Sequence, residues 1–221
     1  MLDYLDDIPG EVNAVLVTGD ITDHGTPAEY QEAARLLGTC RFPVLTCPGN
    51  HDERSAYRAV FPDGRAESPV NQVHRLAGAT FAMCDSSIPG RAGDLLDDST
   101  IDWLDEVLTA APRDEPAFVC FHHPPVRLGV PFVDAIRQFG EQRLAELLQR
   151  HQHVLAVLCG YVHTAAAATF AGLPLRVAPG VVSMIVPPRE TGTIIDYRLP
   201  PGFAFRAVGE DRGLVTHFRS L

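Results

Sequence analysis

Four short clusters in the 221-residue chain hold side chains that can bind a cation or move a proton: GDITDHG at 19–25, GNHD at 49–52, HHPP at 122–125 and GYVH at 160–163. They bring a carboxylate (Asp20), an amide oxygen (Asn50) and imidazoles (His51, His122, His163), a donor set suited to a mid-series divalent metal such as Mn, Fe or Zn. Taken singly, each has a plainer reading. GDITDHG can be a turn before a helix, with Asp20 as a cap and Gly25 left-handed, and GNHD is common turn chemistry. As an ordered set of four they read as one site.

Such a site needs elements that deliver all four clusters to one place. Each cluster follows a short apolar run: NAVLVT at 13–18, PVLT at 43–46, AFVCF at 117–121 and VLAVLC at 154–159, with FAMC at 81–84 as a further run of the same kind. Apolar residues at consecutive positions suit strands covered on both faces. In open α/β sheets the carboxyl ends of the strands form the ligand crevice, so residues distant in sequence converge there. Glycines before Asp20, Asn50 and Tyr161 permit sharp exits from the strands.

Between the runs the pattern predicts helices. One covers Thr26–Leu37, with Thr26 as N-cap, Pro27 at the first turn and Glu29 closing a capping box. A second covers Thr100–Ala110, capped by Ser99, with Ile101, Leu104, Val107 and Leu108 as its apolar stripe. A third is expected near 134–150. TFAGLPLRVAPG and FAFRAVGEDRGLVTHF read as hairpins, the second turned between Gly209 and Gly213. The expectation is a single α/β sandwich domain over 1–221 with antiparallel hairpins in roughly 165–221.

The net charge of -10 argues against attraction to a nucleic acid polymer or to a membrane of acidic lipid. It does not conflict with a small phosphorylated substrate held by metal. Cys40, Cys47, Cys84, Cys120 and Cys159 are odd in number and scattered, which suits free thiols in a reducing compartment. No apolar run is long enough for a membrane helix and MLDYLDDIPG is no leader, so the expected location is cytoplasmic. His24, His74, His151, His153 and His217 match no motif and are expected on the solvated surface, His151 and His153 following a helix end.

The four motifs, with DSSIPGRAGDLLDD at 85–98 and WLDEVL at 103–108, resemble the calcineurin-like metallophosphoesterases, and among them the bacterial class III cyclic-nucleotide phosphodiesterases and glycerophosphodiesterases. The resemblance implies an αββα sandwich and a pair of divalent metals, Mn or Fe with Zn as a further choice. By match Asp20 would bridge the metals, Asn50 and His122 would bind one, and His163 the other. His51 would protonate the leaving alkoxide or bind phosphate. Asp23 and Asp52 would orient imidazoles, and His123 would lie on the substrate side of His122 or support it. Hydroxide generated on the metals would attack phosphorus.

Two departures accompany the resemblance. The family's first strand carries an Asp-x-His pair ahead of the bridging Asp, and none of the nineteen residues before Asp20 forms one. Tyr161 stands where Gly-His-x-His has its first His, and a phenol with pKa near 10 is a poor ligand. Tyr161 is therefore expected to be a packed aromatic or a hydrogen-bond donor to phosphate. The resulting expectation is one weakly held cation at Asp20, Asn50 and His122, in a fold lacking the family's N-terminal strand. Function then reads as hydrolysis of small phosphodiesters, including 3',5'-cyclic nucleotides. The alternative is an impaired family member that binds phosphate, nucleotide or a partner. An unpaired sheet edge would favour a homodimer.

Overall fold

The computed structural model describes residues 1–61, 69–188, 190 and 194–221. A short helix, α1 (Leu2–Asp6), precedes the first strand, β1 (Val15–Thr18). Next comes α2 (Pro27–Leu37), where Thr26 closes the predicted capping box: its hydroxyl accepts from the Glu29 amide at 3.4 Å and its own amide donates to the Glu29 carboxylate at 2.9 Å. Strand β2 (Val44–Cys47) runs parallel to β1, with Val15 opposite Val44. Helix α3 (Arg54–Val60) is capped by Glu53.

The chain then forms β3 (Gln72–Leu76), β4 (Ala79–Met83), β5 (Asp94–Leu95), α4 (Asp98–Ala110), β6 (Ala117–Cys120), α5 (Pro131–Ala135), β7 (Gln138–Phe139), α6 (Glu141–Arg150) and β8 (Val154–Cys159). After these come β9 (Ala166–Phe170), β10 (Leu173–Val177), β11 (Met184–Ile185), β12 (Ile195–Asp196), β13 (Gly202–Val208) and β14 (Leu214–Ser220). Six strands make the main sheet in the order β3-β4-β6-β8-β10-β9. Its inner strands β4, β6, β8 and β10 are parallel, and β3 and β9 close the edges antiparallel. Two-residue turns at Ala77–Gly78 and Ala171–Gly172, all four residues at positive φ, join these edge strands to their neighbours.

Alternation along the strands sorts the core into two layers. Val119, Phe121, Val157 and Cys159 face α4 and α6, where Leu104, Leu108, Leu144, Leu147 and Leu148 cover them. Met83, Phe118, Cys120, Ala156 and Leu158 face the other way, against Leu45 and Cys47 of β2 with Leu16 and Leu214 at the margin. On the outer side of β2, Thr46 meets the Tyr57 hydroxyl of α3 at 2.6 Å, and Tyr57, Tyr30 and Val70 form a third small core. The order helix, sheet, sheet, helix is the expected αββα sandwich.

Three local readings are corrected. Helix α4 is capped by Asp97, whose carboxylate accepts from the Thr100 amide at 2.8 Å, while Ser99 only donates back to Asp97. The helix expected at 134–150 is broken: Gly140 sits at φ 72, and Gln138–Phe139 pair with β5 instead of continuing a helix. His151 and His153 are 3% exposed, because the end of α6 turns inward onto α4, where His151 Nε2 lies 2.6 Å from the Asp105 carboxylate.

The layers differ in how much they resist damage. Leu104→Ala empties a fully buried position between α4 and the sheet, and is expected to cost about 2–5 kcal/mol. Thr26→Ala removes only a cap and is expected to cost about 1 kcal/mol. Urea denaturation of both variants checks the ranking, and the reverse order would contradict this placement of the core.

Candidate functional site

Strands β1, β2, β6 and β8 all end at one edge of the sandwich, in Thr18, Cys47, Cys120 and Cys159, so the loops that follow converge. His122 stands at the centre. It continues the alternation of Phe118 and Cys120 toward β1, and its Nδ1 lies 2.7 Å from the Thr18 carbonyl oxygen. A carbonyl can only accept, so Nδ1 carries a proton and Nε2 is the nitrogen that faces Asp20. That Nε2 lies 3.1 Å from the Asp20 carboxylate. With Nδ1 committed, two acceptors face each other and need a proton or a cation between them.

The electrostatics follow from that opposition. Burial works against a charged His122, yet the Asp20 carboxylate outweighs it and pushes the ring up to about 9. Burial likewise opposes ionised Asp20, but His122 and the His51 amide, which donates to Asp20 Oδ1 at 3.0 Å, hold it well below the usual carboxylate range. Close approach of backbone makes the pair possible. A Cβ on Gly19 (φ 92) would stand 2.3 Å from His122 Nδ1, and one on Gly49 would stand 2.3 Å from Asp20 Oδ1.

The remaining residues gather around this pair. Asn50 Oδ1 is buried without a hydrogen-bond partner, as are His122 Nε2 and the Tyr161 hydroxyl. His51 lies at the exposed rim, its Nδ1 donating to the Asp23 carbonyl at 2.8 Å, which leaves Nε2 turned away from that contact. His163 holds Ser183 Oγ at 2.8 Å through Nδ1, and burial lowers its pKa. Asp20, Tyr161 and His163 all adopt positive φ (50, 66 and 52), uncommon for such residues and typical of functional sites.

One expected supporting role changes. Asp52 reaches no imidazole. Its carboxylate accepts from the Ile21 and Gly49 amides at 3.1 and 2.8 Å and from the Tyr30 hydroxyl at 2.8 Å, tying the GDITDHG and GNHD loops together. Asp23 is 75% exposed, and its carboxylate stands 3.4 Å from His51 Nδ1. His123 meets the His122 ring edge-on, with centroids 4.9 Å apart, and its Nδ1 lies 2.6 Å from Asp94 with both side chains fully buried. Asp94, and Ser86 which donates to it at 2.5 Å, were not singled out in the sequence. Their only signal was membership of the DSSIPGRAGD run.

These donors test the fit of a metal. Among the described residues no three His, Cys, Asp or Glu side chains converge on a cation position. What remains is Asp20, His122 and the amide of Asn50, with Asn50 Oδ1 and His122 Nε2 lacking hydrogen-bond partners. That set suits a single mid-series cation with open positions. Tyr161 does not join it as an anion, because burial, with Asp20 and Asp94 nearby, pushes the phenol further above its ordinary value.

Known proteins share the sequence pattern and the fold. The sequence profile of the calcineurin-like phosphoesterases matches residues 1–165. Over 207 residues the chain is 34% identical to a glycerophosphodiester phosphodiesterase of Enterobacter lignolyticus, covering 90% of this chain and 73% of that protein. It is 34% identical over 171 residues to a probable cyclic nucleotide phosphodiesterase of Rhodococcus erythropolis, covering 75% of this chain and 56% of the relative. A dimetal phosphatase from Danio rerio aligns with a TM-score of 0.66 at 16% identity, over 95% of this chain and 81% of that one.

The single-cation fit has a direct check. Elemental analysis of protein dialysed against Mn should find about one equivalent per chain, and two tightly held equivalents would overturn the assignment. Gly49→Ala, which drives a methyl into Asp20, should lose that metal while circular dichroism stays unchanged.

Proposed function

The chain belongs to the calcineurin-like phosphoesterase family, and from that premise we propose that it hydrolyses small phosphodiesters, 3',5'-cyclic nucleotides foremost among them. Relatives named as cyclic nucleotide and glycerophosphodiester phosphodiesterases support the reaction class. The observation that carries the reading is the opposition of Asp20 and His122 beside the orphaned Asn50 oxygen. The family uses divalent metals, and these three residues would hold one, Mn or Fe by donor type. When bound, it supplies acidification of water and neutralisation of phosphoryl charge.

The chain's own residues supply the rest. Asp20 stays ionised because His122 and the His51 amide stabilise its charge. His51 is anchored through Nδ1 and turns Nε2 outward at the rim, where it can give a proton to the departing alkoxide as the P–O ester bond breaks and water adds to phosphorus. His163, fixed by Ser183, borders the same space. The net charge of -10 disfavours nucleic acid polymers and leaves small diesters as substrates. No helix of the described residues is long and apolar enough to cross a membrane, and the proposal places the reaction in the cytoplasm.

A second reading is favoured by Tyr161 and by the lack of a three-ligand cluster among the described residues: the chain binds phosphate or nucleotide and does not turn it over. Assays with bis(p-nitrophenyl) phosphate and cyclic AMP in the presence of Mn separate the two. Hydrolysis predicts turnover that His122→Ala abolishes together with metal binding. His51→Ala should lower kcat about 10²–10⁴-fold while metal content is kept. Wild-type turnover no greater than that of His122→Ala would leave the binding reading in possession.

A further inference from the structure

Tyr161 is held in place more tightly than a packed aromatic requires. Its backbone is left-handed at φ 66 immediately after β8, an outlying conformation for a bulky residue. Its ring lies flat on His123, with centroids 3.6 Å apart and planes 24° apart, and meets the edge of His122 at 5.5 Å. His123 is fixed in turn by Asp94 at 2.6 Å, and Asp94 by the Ser86 hydroxyl at 2.5 Å, all three being completely or almost completely buried. A chain of three polar residues from two separate segments thus sets the plane of one phenol.

The far end of that phenol has no partner. The Tyr161 hydroxyl is buried and unpaired, a cost that folded chains seldom leave unmet. The ring edge that Tyr161 meets belongs to His122, whose Nε2 is likewise without a hydrogen-bond partner, as is the buried Asn50 oxygen, and these are acceptors that fit a cation. A neutral hydroxyl donates, and with a cation seated between those acceptors the anion that arrives beside it brings acceptor oxygens.

We propose that the Tyr161 hydroxyl donates a hydrogen bond to a non-bridging phosphoryl oxygen of the bound diester, and that His123, Asp94 and Ser86 are positioning residues that aim it. The assignment rests on the phosphodiester reading of the same site and deepens it. Negative charge on those oxygens grows toward the transition state, so a donor fixed in advance strengthens as the reaction proceeds.

Tyr161→Phe keeps the ring stack and deletes only the donor. Titration calorimetry with inorganic phosphate on the Mn-loaded protein should find affinity lowered about tenfold, with metal content unchanged and kcat on bis(p-nitrophenyl) phosphate lowered about 10²-fold. Asp94→Ala should lower phosphate affinity similarly, Asp94→Asn should restore part of it, and the double variant Tyr161→Phe/Asp94→Ala should lose no more than Tyr161→Phe alone, since the two act through one bond. Additive losses would reduce Asp94 to a structural role and remove the positioning claim. Unchanged phosphate affinity and kcat in Tyr161→Phe, or loss of metal instead, would overturn the donor claim even if wild type turns over. Phosphate binding that depends on Tyr161 without any turnover would support the donor and defeat only the hydrolytic reading.

Discussion

The hydrogen bond from His122 Nδ1 to the Thr18 carbonyl crosses the sandwich, since His122 follows β6 of the six-stranded sheet and Thr18 ends β1 of the other layer. Much of the site depends on it. It fixes Nδ1 as a donor, and so turns Nε2 toward Asp20. It also brings the ring so close to the strand exit that only glycine fits at position 19, and the carboxylate so close to the next loop that only glycine fits at 49. Left-handed backbone at Asp20 is the local cost of turning the carboxylate back over the strand end. Apolar layers above and below hold both strands in register, so the strain cannot relax by separating them.

The layer beneath the site is built largely from cysteine. Cys47, Cys120 and Cys159 are the last residues of β2, β6 and β8, and Cys84 follows β4; all four are fully buried. A thiol there could compete for a cation only as thiolate. Burial pushes Cys120 up to about 12 and raises Cys47, Cys84 and Cys159 well above the ordinary thiol value. They act as small apolar spacers, leaving the oxygen and nitrogen donors one residue or more further on to meet the ligand. The chemistry and the core are thus separated by two or three residues at each strand end.

That separation explains what could be read in advance. Strand ends, the capping box at Thr26 and the placement of His122 depend on neighbours in sequence or on strict alternation, and both signals are local. The cap of α4 was misread because Asp97 and Ser99 are both good caps two residues apart, and only the backbone shows which carboxylate meets the Thr100 amide. The break before α6 was hidden because pairing of Gln138–Phe139 with β5 spans more than forty residues. Asp94 was illegible for the same reason: nothing near it announces that His123, in another loop, closes against it. Asp52 was legible as important but not in its role, since a carboxylate that gathers backbone amides looks in sequence like one that orients an imidazole.

Charge sets the last constraint on any anion that enters. The chain contains no lysine, and several of its arginines are bound elsewhere: Arg54 to Asp85, Arg137 to Glu141, Arg143 to Asp98, Arg150 to Asp105 and Arg198 to Asp196. None of those pairs involves a residue of the four motifs. An anion approaching Asp20 would meet that carboxylate with the His122 imidazole beside it. Neutral donors gain value in such a place. They add no charge that the buried carboxylates would have to balance, and they remain pointed at the anion whether or not the imidazoles are protonated. The phenol at position 161 is a neutral donor of that kind, and burial keeps it uncharged.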